Sequence, residues 1–489
     1  MSRDPDEGPD DFRRSVDRYV NATTHRDRTR RALPGQKGQA QAPRQKSGAF
    51  AGKNSPAVDD TVAGTQGRIG WFEDQGFMKP EKYKKLVLFF LAGMLSLHVA
   101  VAWRSRELIR KGYPDFTALY SAGKIVREGV RKQLYDSQTQ YRIQQEFAAG
   151  VSIRQGPLPY IHPPWEALLF VPFAWFSYPM AYLLWNAVNV LILLSLPFLL
   201  RNHLPQLRHV SALFWLFVSL AFYPIFFDLL QGQDILPLLL FFTLAFVSLK
   251  QNNDLAAGCW LGLGLFRFHL VLPLVFILLL HKRLKALLGF AVVAFVLAMV
   301  SVAIIGWNAA LSYPSFVWHV ETVMGHGAIV PVDMPNLRGL LHTFLAAHSS
   351  KLVIQLVVAV LSAALLLFAS AKWRVAREGT AFDLGFSLVV VGTILVSYHA
   401  NTYDLALLFL PVMLLTNHLA GVDGKGGWSR IALMGPMFVL FVSPLQMLLL
   451  QKYGKLSLLT PVLLFWTWGL ASEISRLGSP SQIPVTQAM

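Results

Sequence analysis

Long apolar segments recur between residues 86 and 473, and they constrain the fold more than any other feature. A helix needs roughly 20 apolar residues to cross a bilayer. The segments that approach this length are 86–103, 164–178, 180–200, 210–230, 235–249, 256–280, 285–306, 351–371, 383–398, 403–419, 431–450 and 456–473. Because hydrocarbon leaves backbone groups no outside partner, such segments form helices. The sequence therefore predicts an all-α polytopic membrane protein with about twelve transmembrane helices.

The composition agrees with a membrane location. Of 489 residues, 54% are hydrophobic and 15% are charged, whereas soluble proteins have about 25% charged residues. The net charge of +16 does not indicate nucleic acid, because Lys and Arg collect in cytoplasmic loops and beside anionic headgroups. Cys259 is the single cysteine, so an intrachain disulfide is excluded. Membrane lipids are the expected partners, nucleic acid is not, and the oligomeric state stays open.

The N-terminal region differs from the rest of the chain. Residues 1–80 are polar and poor in large aliphatic side chains, which predicts a disordered basic tail. No apolar run follows the first basic residues, so we expect no signal peptide. Lys82, Lys84 and Lys85 precede the first span and indicate a cytoplasmic N-terminus. A membrane domain over 81–476 and a C-terminal tail over 477–489 follow.

The order of the spans assigns each loop to a side. With the N-terminus inside, loops 104–163 and 307–350 lie outside, and the basic loops 281–285 and 372–377 lie inside. Both termini are then cytoplasmic, in a multi-pass protein of the cytoplasmic membrane.

Two parts of the chain fit this scheme less simply. Arg201 and Arg208 fall outside, so either this loop is an exception or the count near spans two to five is wrong. The same scheme places the turn 231–234 on the inner face, opposite Asp115.

Two polar loops on the outer side have helical character. In the first, Phe116 and Tyr120 begin one pattern of helical spacing, and Tyr141 and Phe147 belong to a second. We expect two amphipathic helices at the membrane surface, with Asp115 at the start of the first. In the second loop, residues 339–345 are too short to span, which predicts a re-entrant or interfacial helix.

Asp115 is the first candidate for chemistry. A carboxylate beside apolar residues can serve as a general base. Asp is also a preferred residue for capping the start of a helix, and the sequence leaves both roles open.

Arg267 lies in the middle of an apolar segment, where a charge needs a partner. A lipid phosphate would provide one, and so would an ion pair with Asp228 or Asp234. His399 is similarly open between a phosphate or hydroxyl partner and an ordinary interfacial histidine. No phosphate-binding glycine loop, dinucleotide motif or metal-binding motif occurs, so we expect neither cofactor nor metal.

Several short motifs now form a familiar series. The series runs Asp115-Phe116, Tyr120, Ala122-Gly123, Gly129, Leu134-Tyr135-Asp136, Tyr160, His162-Pro163-Pro164, Gln231-Gly232-Gln233, Ala257-Gly258, Leu261-Gly262-Leu263, Arg267, Asn336-Leu337-Arg338-Gly339-Leu340-Leu341, and Tyr398-His399 through Asp404. In order and spacing it resembles glycosyltransferase family 87, the DUF2029 proteins, over roughly residues 86–450. That family includes mannosyltransferases that elongate phosphatidylinositol mannosides. Arg267 stands where the family more usually has Lys.

The resemblance implies a GT-C fold, in which the catalytic Asp lies in the first extracytoplasmic loop. It also implies an inverting transferase that takes a hexose, chiefly mannose, from a polyprenyl phosphate to a lipid or glycan acceptor outside the cell membrane. Asp115 is the implied general base. The implied substrate- and donor-binding residues are Tyr120, His162, Arg267, Arg338, His399 and Asp404, with Tyr160, Gln231, Gln233 and Asn336 as further candidates.

Two other classes of function remain open from the sequence. A flippase for lipid-linked sugars, or another transporter, would need a polar path through the membrane and would form no glycosidic bond. A non-catalytic scaffold that binds partners through the basic tail would leave Arg267 unexplained. The long structured first loop and the clustering of polar residues on one side favour the transferase.

Overall fold

The computed structural model describes residues 80–148, 158–322, 330–376, 378–422 and 428–478. The predicted tail over 1–80 lies outside the described residues except for Pro80, as does most of 477–489. Contacts divide the chain into residues 1–87 and residues 88–489, and the account below concerns the second unit. Every regular element in the described part of the chain is helical, as the sequence predicts.

Membrane-length helices dominate the structure. Eight helical segments are long and apolar enough to span a membrane: Lys84–Arg110, Tyr178–Leu200, Asp254–Leu280, Leu284–Ile305, Lys351–Val375, Gly379–Val396, Tyr403–Ala420 and Leu456–Gly478. Two bent pairs raise the number to ten, and Ile235–Lys250 is a shorter apolar helix. The polytopic prediction is therefore confirmed for the described residues.

In chain order, the α-helices of the described residues are α1 (Pro80–Arg110), α2 (Phe116–Arg127), α3 (Ser137–Ala148), α4 (Ala167–Phe170), α5 (Tyr178–Leu200), α6 (Ala212–Ala221), α7 (Tyr223–Gln231), α8 (Ile235–Lys250), α9 (Asp254–Leu263), α10 (Phe268–Leu280), α11 (Leu284–Ile305), α12 (Trp307–Thr322), α13 (Leu337–Leu345), α14 (Lys351–Val375), α15 (Gly379–Val396), α16 (Phe409–Ala420), α17 (Trp428–Phe441), α18 (Ser443–Met447) and α19 (Thr460–Gly478). Helices α2 and α3 are the two predicted in the first loop, and α13 is the short helix predicted in the second.

The predicted span 164–178 is wrong as a single helix. It forms two 3-10 turns, Pro164–Glu166 and Phe173–Trp175, on either side of the single turn α4. Pro164 and Pro172 account for the breaks, since proline lacks the N–H that a continuing helix needs. Phe170 is fully buried against Phe116 of α2, so the segment packs on the first loop instead of crossing the bundle.

The predicted span 256–280 folds back on itself. By length and composition Asp254–Leu280 passes as one span of 27 residues, and a straight helix of that length would extend roughly 40 Å. However, Arg283, just beyond its end, lies 3.1 Å from Asp254 at its start. The helix breaks at Arg267, where φ is −114° and ψ is 54°. Helices α9 and α10 therefore form an antiparallel hairpin.

A close backbone contact fixes this hairpin against the next helix. A Cβ on Gly258 of α9 would lie 1.8 Å from the carbonyl oxygen of Ala286 in α11. Only glycine permits that approach. Helix α9 consequently runs alongside α11, and the reversal at residues 264–267 lies at the far end of the hairpin from Asp254.

The reversal and the missing span together define two ends of the bundle. Tyr178, at the start of α5, touches Thr117 of α2, and the 23 residues of α5 carry the chain roughly 33 Å from there. Arg201 and Arg208 follow α5, so they lie at the end opposite Asp115. Of the two alternatives left open for this loop, the wrong span count is therefore the correct one, because 164–178 does not cross.

The central helices position the site. Of Gly379–Val396, 78% is buried, and of Tyr403–Ala420, 83%, whereas only 11% of the most apolar part of Lys351–Val375 is buried. The exposed apolar face of α14 suits lipid, since lipid tails are as apolar as these side chains. The connection between α15 and α16, residues 397–408, therefore belongs to the most deeply buried part of the described helices.

Candidate active site

Two glutamines hold Asp115 at the start of α2. The backbone N–H of Asp115 donates to Gln231 Oε1 at 3.2 Å, and Gln233 Nε2 donates to Asp115 Oδ2 at 2.8 Å. The Asp115 side chain makes no capping hydrogen bond to α2. Of the two roles left open by the sequence, the side-chain cap is thus absent from the structure.

The turn after α7 is what aims both glutamines at Asp115. Gly232 has a left-handed backbone with φ of 62°, a conformation that glycine adopts without strain. A Cβ there would lie 2.8 Å from the Cβ of Phe116. The turn therefore packs directly on α2, and the prediction that residues 231–234 lie on the face opposite Asp115 is wrong. The miscounted span 164–178 caused that error.

Arg267 is paired inside the protein. Its Nε donates to Asp234 Oδ1 at 2.7 Å, its Nη2 bonds Gln233 Oε1, and its Nη1 lies 3.7 Å from Asp404 Oδ1. The residue is only 5% exposed. The ion-pair alternative for Arg267 is therefore the one that the structure contains, with Asp234 as the partner.

Gln233 links this arginine to Asp115. Its amide has one oxygen, which accepts from Arg267, and one NH2 group, which donates to the Asp115 carboxylate. The reverse orientation would set oxygen against carboxylate and NH2 against guanidinium, so the assignment is the only one that satisfies both neighbours. Asp115, Gln233, Arg267 and Asp234 thus form one continuous polar chain.

His162 and Glu166 lie on the other side of Asp234. His162 Nδ1 is 2.8 Å from Glu166 Oε2 and 3.2 Å from Asp234 Oδ2. Burial opposes the charged ring, but the two carboxylates outweigh it and raise the pKa of His162 to about 9. Burial also raises the pKa of Glu166 to about 8, where His162 opposes the shift and Asp234 adds to it. Arg267 and His162 hold the pKa of Asp234 below its usual value although burial opposes them.

A second wall of the site comes from α13 and the connection 397–404. Asn336 caps α13 by accepting from the N–H of Gly339 at 2.7 Å, and its Nδ2 donates to Ser397 O at 2.9 Å. Arg338 donates from Nη1 to Tyr398 O at 2.9 Å and stacks on the Tyr398 ring at 3.8 Å. These bonds tie the second predicted outer loop to the central helices.

His399 and Asp404 complete this wall. The carbonyl oxygen of His399 lies 3.2 Å from the ring nitrogen Nδ1 of His269. The ring nitrogen Nε2 of His399 lies 3.0 Å from Asn401 Nδ2. Asp404 Oδ2 accepts from the backbone N–H of Asn401 at 2.6 Å. The contact between Asp404 and Arg267 joins this wall to the polar chain that ends at Asp115.

Two predicted site residues have mainly packing contacts. The hydroxyl of Tyr120 donates to Phe176 O at 2.8 Å, and its ring packs edge-on against Phe147 and Tyr178. Tyr160 is 1% exposed, donates to Pro163 O at 2.9 Å, and stacks on the His162 ring. Tyr160 thereby fixes the loop that carries His162, and donor binding by either tyrosine stays a prediction.

The structure therefore brings together most of the predicted residues and adds others. Sequence reasoning missed Glu166, and it considered Asp234 only as a partner of Arg267. One signal was available for Glu166, because an acidic residue within an apolar segment is costly and usually functional. Its position four residues after His162 was a second signal.

Comparison with known proteins gives one result. The model of glycosyltransferase family 87 matches residues 160–397. The matched region contains His162, Gln233, Arg267 and Arg338, while Asp115 precedes it and His399 follows it. No curated protein matches the chain. No solved structure matches it either.

Proposed function

Since this chain is a glycosyltransferase of family 87, we propose that it transfers a hexose, in the first place mannose, from a polyprenyl phosphate to a lipid or glycan acceptor. The observation that carries the proposal is the hydrogen bond between Gln233 and the carboxylate of Asp115, backed by Arg267. A general base has to be held in a fixed orientation to act, and this chain of contacts holds one.

In the proposed reaction, Asp115 takes the proton of the acceptor hydroxyl. The hydroxyl oxygen forms the new bond to the anomeric carbon from the side opposite the phosphate. The bond from that carbon to the phosphate oxygen breaks, and the oxygen keeps the electron pair, so polyprenyl phosphate leaves. Attack from the opposite side inverts the anomeric configuration. The reaction uses no cofactor other than the donor itself.

Arg338 and His399 are the residues we assign to the leaving phosphate. The donors of Arg267 are engaged by Asp234 and Gln233, so Arg267 acts on the orientation of Asp115. Arg338 is a cation on the second wall, next to His399 in the structure through Tyr398. A fixed cation at the phosphate stabilises the charge that grows there in the transition state.

The proposed reaction takes place on the extracytoplasmic face of the cytoplasmic membrane. The connections at the end opposite Asp115 carry Arg201, Arg208, Lys282 and Arg283. Short connections rich in Lys and Arg stay on the cytoplasmic side. Asp115 then faces the extracytoplasmic side, and both termini are cytoplasmic.

The test is sugar transfer by the full chain in lipid nanodiscs. Radiolabelled polyprenyl-phosphate mannose and a membrane-lipid extract serve as substrates, and Asp115→Asn is compared with the wild type. We expect the variant to lose about 10²–10⁴-fold in rate, the usual contribution of a general base. Asp136→Asn is the matched control, because Asp136 lies in the same loop and its carboxylate only accepts from Thr139.

Each result has a defined meaning. Undiminished transfer by Asp115→Asn would overturn the assignment of the base. If no new product forms and, in sealed vesicles containing the full chain, label crosses the bilayer, the result would favour the flippase or transporter. If mannose fails while another hexose is transferred, the reaction class stands and the sugar changes.

A further inference from the structure

A partly exposed histidine and two buried carboxylates converge beside Arg267. His162, Glu166 and Asp234 each offer one ligand atom, and these atoms all lie within 4.8 Å of one another. Glu166 is 1% exposed and Asp234 is 2% exposed. The three residues come from two separate segments, which the packing of Pro164–Glu166 against the turn after α7 brings together.

None of the converging atoms is hydrogen-bonded. His162 Nδ1, both carboxylate oxygens of Glu166, and Asp234 Oδ2 are buried and lack a hydrogen-bond partner in the structure. His162 Nδ1 lies within ion-pair distance of both carboxylates, yet it has no hydrogen-bond partner in the structure. Buried polar groups without partners are costly and rare. A bound ligand would satisfy the atoms of this cluster.

The spacing matches the edge of a metal coordination sphere. Nitrogen and oxygen ligands lie about 2.0–2.2 Å from Zn²⁺, so two ligands are roughly 3.0 Å apart at right angles, as in octahedral coordination, and roughly 3.4 Å apart at a tetrahedral angle. The distances from His162 Nδ1 to the two oxygens are 2.8 Å and 3.2 Å. These distances are therefore compatible with two ligands of one ion.

The charges also leave room for a cation. Asp234 uses Oδ1 to neutralise Arg267, and its Oδ2 faces the cluster. Glu166 provides a second carboxylate, with both oxygens available. One imidazole with two carboxylates is a donor set that Mn²⁺ and Zn²⁺ accept, and water or substrate oxygens fill the remaining positions.

From this geometry we infer that His162, Glu166 and Asp234 form a binding site for a divalent cation of the Mn²⁺ or Zn²⁺ type. The sequence alone indicates no metal, because His162 and Glu166 are completed by a residue from a distant segment. The site exists whether or not the proposed transfer reaction is correct, so it is tested by binding.

The experiment uses the full chain in nanodiscs after treatment with a chelator. Mn²⁺ is titrated, and its free concentration is followed by electron paramagnetic resonance. Thermal unfolding at each concentration gives a second measure, since a ligand that binds only the folded state raises Tm. We expect one strong site per chain in the wild type, with competition by Zn²⁺.

Glu166→Gln keeps the size of the side chain and removes its charge. We expect its affinity for Mn²⁺ to fall at least about 10-fold, the lower end of what even an outer-shell partner contributes. Glu473→Gln is the matched control, because Glu473 is also buried beside a histidine, at the other end of the bundle, and is hydrogen-bonded there. Its affinity for Mn²⁺ should equal that of the wild type.

The wild type decides the matter even if Glu166→Gln fails to fold. Less than one equivalent of bound Mn²⁺ or Zn²⁺, or an adventitious ion only, with the same affinity in Glu166→Gln, would overturn the site. A wild type that transfers sugar but binds no Mn²⁺ or Zn²⁺ in the titration would overturn the site while leaving the proposed function intact. One bound ion without any sugar transfer would support the site and count against the proposed function.

Discussion

Each end of the bundle contains a histidine beside a buried glutamate, and the two pairs differ in whether the two side chains are hydrogen-bonded. His418 Nε2 and Glu473 Oε1 are hydrogen-bonded at 2.7 Å, and Arg476 donates to the same carboxylate at 2.9 Å and 2.6 Å. His162 and Glu166 are equally close, at 2.8 Å, but are not hydrogen-bonded. Residue type and distance are therefore nearly the same in the two pairs, whereas hydrogen-bond satisfaction distinguishes them.

The same contrast holds for the surrounding charges. At the end opposite Asp115, Lys250 pairs with Asp383 and Arg283 pairs with Asp254, so these contacts fasten neighbouring helices. At the end of Asp115, Arg267 contacts Gln233 and Asp234 from one segment and Asp404 from a distant one. Charged contacts at the end opposite Asp115 join neighbouring helices, whereas those at the end of Asp115 bring together polar side chains of the candidate site.

The two ends should differ most in the loss of folding stability that follows when one arginine is replaced at each end. Arg267→Met leaves Asp234 buried without its cation, and breaking a buried pair in this way typically costs about 3–5 kcal/mol. Arg476→Met removes a side chain that is 57% exposed, and such pairs contribute about 0–1 kcal/mol. Thermal unfolding in nanodiscs measures both variants.

Arg267→Lys serves as the control for charge, and it should recover part of the lost stability. Lysine keeps the positive charge but not the fork that reaches Asp234 and Gln233 together. Equal loss of Tm in Arg267→Met and Arg476→Met would contradict the contrast between the ends.

The two glutamates should respond with opposite signs in chelator-treated protein. Glu473→Gln weakens the buried hydrogen bond with His418, and a hydrogen bond to a charged group contributes about 1.5–3 kcal/mol, so Tm should fall. Glu166→Gln replaces an unsatisfied buried carboxylate with a neutral group, so Tm should stay the same or rise. With Mn²⁺ present, the Tm of Glu166→Gln should fall below that of the wild type, because the wild type gains a ligand that the variant binds weakly. A fall in Tm for Glu166→Gln without metal would mean that its carboxylate is satisfied after all.

The sequence predicted the parts of the molecule that depend on local pattern. Apolar length identified the membrane helices, and helical spacing identified α2 and the position of Asp115 at its start. The errors arose where local pattern is the same for two outcomes. Both arms of 254–280 are apolar, so composition does not reveal the break at Arg267, and the apolar segment 164–178 resembles a span although its prolines prevent one.

The candidate site was only partly predictable for a related reason. His162, Gln233 and Arg267 could be named from motifs, but their contacts join segments far apart in the chain. Asp234 has one oxygen on Arg267 and the other facing His162, and no spacing in the sequence contains that arrangement. The hydrogen-bond satisfaction that separates Glu166 from Glu473 is likewise a property of tertiary packing.

The smallest expected difference concerns two asparagines that cap helices at opposite ends. Asn253 caps α9 with a 3.2 Å bond from the N–H of Ala256 and is exposed. Asn336 caps α13 and also donates to Ser397 O, and it is fully buried. Loss of a cap costs about 0.5–2 kcal/mol, and Asn253→Ala should lie at the lower limit. Asn336→Ala should cost more, because the carbonyl of Ser397 also loses its buried donor.

Comparing the two asparagines tests the contact between Asn336 and Ser397 without changing any charge. Neither residue is ionisable, so a larger loss of Tm in Asn336→Ala reflects packing and hydrogen bonding alone. Asn336→Asp provides the control, since aspartate keeps the capping oxygen but cannot donate to Ser397. If Asn336→Asp matches the wild type, the bond to Ser397 contributes nothing. The second wall would then be positioned by the cap and by Arg338, and the contrast between the ends would rest on charge alone.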